Sequence, residues 1–172
     1  EKAWGLRWAG LRYFNVAGAG WDDLGDMATL NLIPMVLDRL SKGETPKIFG
    51  TDYPTPDGTC VRDYIHVKDL AGAHIAALDY LAGGQDMAEH IFNVGTGQGA
   101  SVREVVSKVI ASTGLDLEPE ELARRAGDPP QLIGNATRIG EVLGWKAEHD
   151  LDDIVTSSYT SWQADPNRPH FG

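Results

Sequence analysis

The chain has 172 residues, 42% of them hydrophobic and 23% charged, the proportions of one soluble globular domain with room for a sizeable core. Its 15 Lys and Arg against 25 Asp and Glu leave a formal charge of −10, which argues against nucleic acid and anionic membrane surfaces as partners. No apolar run approaches the ~20 residues that span a bilayer, and nothing at the N-terminus resembles a signal peptide. The single Cys60 cannot form an internal disulfide, which fits a cytoplasmic location.

Glu1 to Trp4 reads as the last turn of a helix stopped by Gly5, so the chain is expected to begin inside a larger protein. Arg7 to Val16 reads as a buried strand with Asn15 near its C-terminal end, where ligands sit in open α/β sheets. After a loop over Gly18 to Asp26, Pro34 suits the first turn of a helix. Ile33, Val36, Leu37 and Leu40 give that helix an apolar stripe, and Gly43 ends it. Asn31 falls at the helix entrance, where its ordinary role is N-capping. Lys47 to Gly50 is a short strand, and Thr51 to Thr59 a loop.

The segment from Asp57 to Leu70 organises the chain. An Asp57-Gly58 turn leads into an alternating β-branched and aromatic run that reads as a half-buried strand. With a period of two, Val61, Asp63, Ile65 and Val67 share one face, and Arg62, Tyr64 and His66 share the other. That second face is open to two readings, a solvated strand surface or a site where a guanidinium forks onto phosphate or carboxylate.

Lys68 to Leu81 repeats Leu70, Ala73, Ala77, Leu78 and Leu81 at helical spacing, with His74 on the stripe as a packed core histidine and Gly83-Gly84 as the stop. His90 to Val94 is a strand. The helix from Ser101 carries Val102, Val105, Val106, Val109 and Ile110 inward, with Ser101 and Glu104 at capping-box spacing and Gly114 as its end. Leu115 to Gly127 is acidic and then dibasic, and the prolines after Asp128 make Arg124 to Pro130 a loop. Gln131 to Gly134 reads as a strand, and Asn135 caps a short helix to Leu143. Asp150 caps the last helix, where Ile154, Val155, Ser158 and Trp162 face inward.

Two motifs compete for a functional reading. Gly95-x-Gly97-x-x-Ala100 fits the dinucleotide fingerprint between a strand and a helix, with Asp116 or Glu118 about 20 residues on, but Leu115 to Glu118 runs into Pro119 and makes a poor second strand. Tyr64 and Lys68 have the spacing of a Tyr-x-x-x-Lys pair. That chemistry needs both side chains on one helix face, and here Tyr64 belongs to a strand.

Read together, Leu11 to Ala19, Asn31 to Pro34, Ile48 to Val67, Phe92 to Gly95 and Arg125 to Asp128 resemble, in order, the C-terminal half of UDP-glucose 4-epimerases, which are extended short-chain dehydrogenases. The resemblance implies an α/β chain: the end of a Rossmann-type parallel sheet over residues 1–20, then the smaller, mainly UDP-sugar-binding domain over 21–172, with elements returning to the main sheet. It implies NAD held mainly by an N-terminal domain, an upstream catalytic Tyr-x-x-x-Lys that this chain lacks, a homodimeric parent and interconversion of UDP-glucose and UDP-galactose. Tyr13 would lie near the nicotinamide. Asn15 and Asn31 would hydrogen-bond the UDP-sugar, Leu32 and Phe49 line the uridine pocket, Arg62 and Arg125 hold the diphosphate, and Tyr64 and Asp128 complete the nucleotide contacts. The glycine loop at Gly95 then becomes a tight turn. Leu132 stands where side-chain size bears on N-acetylated sugars, Lys47 replaces a commonly small residue, and the Gly18 to Thr29 loop is short. The alternatives are another NAD-dependent sugar-nucleotide dehydratase or decarboxylase, or a non-catalytic nucleotide-sugar binding module.

Overall fold

The computed structural model of the chain describes residues 4–26, 28–83 and 89–171. Residues 1–3 of the expected opening turn, and Gly84 of the expected helix stop, lie outside the described residues. In chain order the elements are β1 (Gly10–Tyr13), β2 (Asn15–Ala17), α1 (Leu32–Ser41), β3 (Lys47–Phe49), β4 (Val61–Arg62), β5 (Tyr64–His66) and α2 (Val67–Ala82). They continue with β6 (Ile91–Val94), β7 (Ala100–Ser101), α3 (Val102–Thr113), β8 (Glu120–Leu122), β9 (Gln131–Leu132), α4 (Thr137–Leu143) and α5 (Leu151–Ala164).

The first strand segment is shared between two partners. β1 runs parallel to β6 with Tyr13 beside Val94, and one residue later β2 runs parallel to β5 with Asn15 beside Tyr64. Parallel pairing needs a crossover, and α2 supplies it between β5 and β6. β4 lies between antiparallel β7 and parallel β9, with Arg62 opposite both Ala100 and Leu132. β3 pairs parallel with β8, so Phe49 sits beside Leu122.

Two cores result. In the first, α1 contributes Ile33, Val36, Leu37 and Leu40, α3 contributes Val105, Val106, Val109 and Ile110, and α5 contributes Ile154, Val155 and Trp162 around Ile48 and Tyr64. Each aliphatic side chain so buried contributes roughly 1.5–3 kcal/mol of transfer free energy. The second core is Ile65, Ala73, Phe92, Val94 and Ile139. Tyr64 and Ile65 are adjacent in sequence and face opposite cores, because side chains alternate along a strand. The helix ends follow local chemistry. Ser101 accepts from the Glu104 amide at 3.0 Å, Asp150 and Asp153 form a reciprocal capping box, and Gly114 ends α3 in the left-handed region.

Three expectations are corrected, and one strand is added. The face carrying Arg62, Tyr64 and His66 is not a solvated strand surface: Tyr64 and His66 are buried, since both sides of β5 are covered. Leu115 to Glu118 forms no strand, as expected, but the acidic Glu120–Leu122 just beyond it does, by pairing its backbone with β3. Asn31 stands at the N-cap of α1 but its side chain does not cap; the amide donates to Asp26 at 2.6 Å instead. His74 is exposed rather than packed, and it turns its ring back to the Leu70 carbonyl at 2.8 Å.

Leu78 and Ile75 are also exposed, and Leu78, Ala77, Leu81 and His74 of α2 form a groove of about 360 Å³ with Ala9, Leu11 and Tyr13. No helix among the described residues is long and apolar enough to cross a membrane.

Candidate functional site

Tyr64 is the hub of the site. Its ring packs in the first core, and the β2–β5 register sets Asn15 beside it. Burial pushes the phenol up to about 12, while the Arg62 charge and a hydrogen bond with Asn15 act in the opposite direction. Tyr64 is therefore a neutral hydrogen-bonding group at ordinary pH. A cavity of about 340 Å³ opens against it, lined by Tyr13, Asn15, Asp26, Asn31 and Leu32 among others. Asn31 reaches the cavity from the entrance of α1, where Asp26 fixes its amide. Five of the expected residues thus surround one space: Tyr13, Asn15, Asn31, Leu32 and Tyr64.

The other four meet around a carboxylate. The β3–β8 pairing brings the Arg124-Arg125 loop beside Phe49, and Arg125 covers the Phe49 ring at 5.3 Å. Arg125 Nε donates to Asp128 Oδ2 at 2.9 Å, and Arg62 Nη2 lies 3.7 Å from Asp128 Oδ1. Arg62 is largely buried, and its Nη1 donates to the carbonyls of Val61 and Pro129, both at 2.9 Å. Two guanidinium groups from distant parts of the chain therefore converge on one anionic position, as recognition of a diphosphate or carboxylate requires. Leu132 stands directly across the ladder from Arg62 and is half exposed.

The two members of the dibasic pair diverge. Arg124 stacks over Tyr53 at 4.1 Å, donates through Nε to Asp52 Oδ1 at 2.5 Å, and bonds the Asp52 carbonyl through Nη2. Its hydrogen bond holds the Asp52 carboxyl below the usual range. Arg124 is thereby committed to the 51–59 loop, and Arg125 alone of the pair faces Asp128.

Asp63, between Arg62 and Tyr64, is the residue that sequence reasoning missed. It is fully buried and accepts from the Thr96 amide at 2.9 Å and hydroxyl at 2.8 Å, and from the Gly97 and Gly134 amides at 3.1 Å each. A Cβ on Gly95 would come within 2.6 Å of its carboxylate, so only glycine permits this approach. A carboxylate on an otherwise apolar strand face is the signal that could have pointed to it. These bonds also test the glycine loop as a dinucleotide cradle. The Thr96 and Gly97 amides are spent on Asp63 and, among the described residues, α3 is followed by no strand beside β6, so the loop does not fit a cofactor pyrophosphate. Lys68 is exposed on the first turn of α2 while Tyr64 is buried in β5, so the Tyr-x-x-x-Lys spacing forms no catalytic pair. Among the described residues, no group of three or more His, Cys, Asp or Glu side chains is placed to hold a metal ion.

Below Tyr64, His66 takes the Lys68 amide on Nδ1 at 3.1 Å and meets Ser157 Oγ through Nε2 at 3.0 Å. Ser157 gives its own proton to the Asp153 carbonyl at 2.8 Å, so His66 carries its proton on Nε2. The ring stacks on His149 at 4.4 Å, and His149 Nδ1 lies 2.8 Å from Asp69. Burial, then the neighbouring His149, pulls the His66 pKa down.

Residues 1–95, more than half of the chain, match the model of the NAD dependent epimerase/dehydratase family. The chain belongs to that family. This epimerase/dehydratase family member is 48% identical over 165 residues to the UDP-glucose 4-epimerase of Azospirillum brasilense, covering 94% of this chain and 47% of that protein. It superposes on a crystal structure of UDP-glucose 4-epimerase with a TM-score of 0.89 at 39% identity, covering 97% of this chain and 52% of the other. The UDP-glucose 4-epimerase of Stenotrophomonas maltophila, solved with bound NAD and formylated UDP-arabinopyranose, gives 0.84 at 38% identity, with 95% and 49% covered. The α/β architecture is therefore that of the extended short-chain dehydrogenases. The chain spans about half the length of the curated relatives it matches.

Proposed function

We propose that this chain is the UDP-sugar-binding half of a UDP-glucose 4-epimerase, an NAD-dependent isomerase that interconverts UDP-glucose and UDP-galactose. The observation that carries the reading is the convergence of Arg62 and Arg125 on Asp128, with Arg62 two residues from the Tyr64 wall of the neighbouring cavity. In this reading the two arginines take the diphosphate, Phe49 and Leu32 the uridine, Asn15, Asn31 and Tyr64 the sugar-nucleotide hydroxyls, and Asp128 a further nucleotide contact. Tyr13, exposed at the end of β1, is the one contact proposed toward NAD. Residues 1–20, with β6 beside β1, would complete the sheet of the NAD-binding domain, and most of 21–172 would form the substrate domain. The chain contributes binding and orientation; the proton and hydride chemistry belongs to groups outside it, so on its own it is proposed to be inactive. The cytoplasmic location, the homodimer and the place in galactose metabolism rest on the resemblance to the epimerases.

Calorimetric titration of the chain with UDP, beside an Arg62→Ala variant, tests the reading. Loss of a charge-assisted contact predicts about tenfold weaker binding in the variant. No binding by the parent chain, or equal binding by both, would overturn it, and turnover of UDP-galactose by the chain alone would overturn the proposed inactivity.

A further inference from the structure

The position where the two arginines converge already holds an anion, the chain's own Asp128. Its carboxylate receives Arg125 Nε at 2.9 Å on one oxygen and faces Arg62 Nη2 at 3.7 Å with the other. This is not an incidental contact of a loose loop. Asp128 precedes Pro129-Pro130, and a residue before proline is confined to extended backbone. The Pro129 carbonyl, next along, accepts from Arg62 Nη1. The same short segment thus anchors the guanidinium and presents the carboxylate to it. Asp128 is also mostly buried, with 23% of its side chain exposed, whereas Arg125 is 61% exposed and rests over Phe49.

Any incoming anion must compete with that carboxylate. Displacing it leaves a mostly buried charge without its partners, which is costly unless new donors arrive. A bare inorganic diphosphate brings acceptors on nearly every oxygen and no hydroxyl groups set apart from its phosphates. A ligand that joins its diphosphate to hydroxyl groups brings acceptors for the arginines and donors for the carboxylate together.

We propose that Asp128 is a specificity-determining residue that acts by self-competition: it suppresses binding of bare diphosphate at Arg62 and Arg125 and admits ligands whose hydroxyl groups satisfy the carboxylate they displace. The inference rests on the reading of the two arginines as a diphosphate site and adds how that site rejects simple anions. It gives Asp128 different effects on two ligands, which a merely structural role does not.

The test is calorimetric titration of the chain at fixed low ionic strength with inorganic pyrophosphate and, separately, with UDP. Asp128→Asn should bind pyrophosphate about tenfold more tightly than the parent chain while binding UDP no more tightly. The gain should vanish in Asp128→Asn/Arg125→Ala, and Asp116→Asn, which removes one exposed charge elsewhere, should not reproduce it. Asp128→Ser, checked by thermal melt, serves as the second variant should the asparagine chain fold poorly. Unchanged, weaker or absent pyrophosphate binding in the Asp128 variants, or a gain that survives loss of Arg125, would overturn the proposal. Failure of the parent chain to bind UDP would instead strike the UDP-sugar reading, leaving the pyrophosphate comparison to decide the role of Asp128.

Discussion

Thr96 gives both its amide and its hydroxyl to one oxygen of the buried Asp63 carboxylate, 33 residues earlier in the chain. With the Gly97 and Gly134 amides on the other oxygen, this charge is held by four donors and by no cation among the described residues. It ties the junction between β4 and β5, where Arg62 and Tyr64 stand, to the loops before β7 and α4. Asp63→Asn keeps the shape but turns an NH2 group toward amide donors. Hydrogen bonds to charged groups contribute roughly 1.5–3 kcal/mol each, so a loss of about 3 kcal/mol is expected in urea unfolding. A loss below about 1 kcal/mol would mean that these loops are held by something else.

Alkaline pH should weaken the fold through Tyr64. Its folded pKa, about 12, lies above the ordinary value of 10.0, so its contribution is complete below pH 10 and fades as pH rises toward 12. The difference corresponds to roughly 3 kcal/mol. Urea midpoints measured from pH 9 to 12 should fall steeply in the parent chain and less so in Tyr64→Phe; parallel curves would show that the phenol is not the responsible group.

His66 acts at the other end of the scale. Its folded pKa lies below that of an exposed histidine, so its stabilising effect is present above the unfolded value, ~6.5, and is lost as pH falls through the lower folded value. Protonation would place a hydrogen on Nδ1, the atom that receives the Lys68 amide, and open the first turn of α2. Lys68, Asp69, His149 and Asp153 are the charged or titratable groups acting on the ring from α2, the α4–α5 connection and α5. Melting temperature should drop between pH 7 and 5, and His66→Gln should flatten that drop. An undiminished acid response in the variant would assign it to other groups.

The loop over Thr51 to Thr59 closes on Gly58, whose φ is +80° and whose added Cβ would stand 2.0 Å from the Thr51 carbonyl oxygen. Gly58→Ala combines a left-handed backbone with a backbone clash, and should cost about 3 kcal/mol or more. Because Asp52 and Tyr53 of this loop hold Arg124, the same change should loosen the neighbouring Arg125, read as weaker UDP binding. Normal stability and affinity together would show that the loop relaxes freely.

What the sequence displayed well were the elements whose side chains fix them. The 33, 36, 37, 40 stripe of α1 and the 105, 106, 109, 110 stripe of α3 are buried as their spacing demands. β8 was hidden because Glu120-Glu121-Leu122 has no strand-like side chains; its backbone is recruited by β3, 73 residues away in register. His74 and Leu78 misled for a different reason. A helical stripe identifies an apolar face but not how much of it is covered, and among the described residues only the Ala73 and Ala77 side of α2 is packed. The site divides the same way. The residues that the resemblance proposes for it fall, in the structure, into two groups. The odd placement of Asp63 on an apolar face was visible, but its three distant amide partners, like the commitment of Arg124 to Asp52, could not be read, because neither set of contacts leaves a local pattern.

Tyr64 and Ile65 turn in opposite directions from a three-residue strand, so the two cores share a wall one strand thick. Neither side can melt and leave that wall standing. The chain should therefore unfold in a single cooperative step, with the amides of α3 and those of α4 losing protection from hydrogen exchange at the same denaturant concentration. A ligand gripping Tyr64 from the cavity it shares with Asn15 and Asn31 would, by the same mechanical link, slow exchange in α4, which contributes no residue to that cavity.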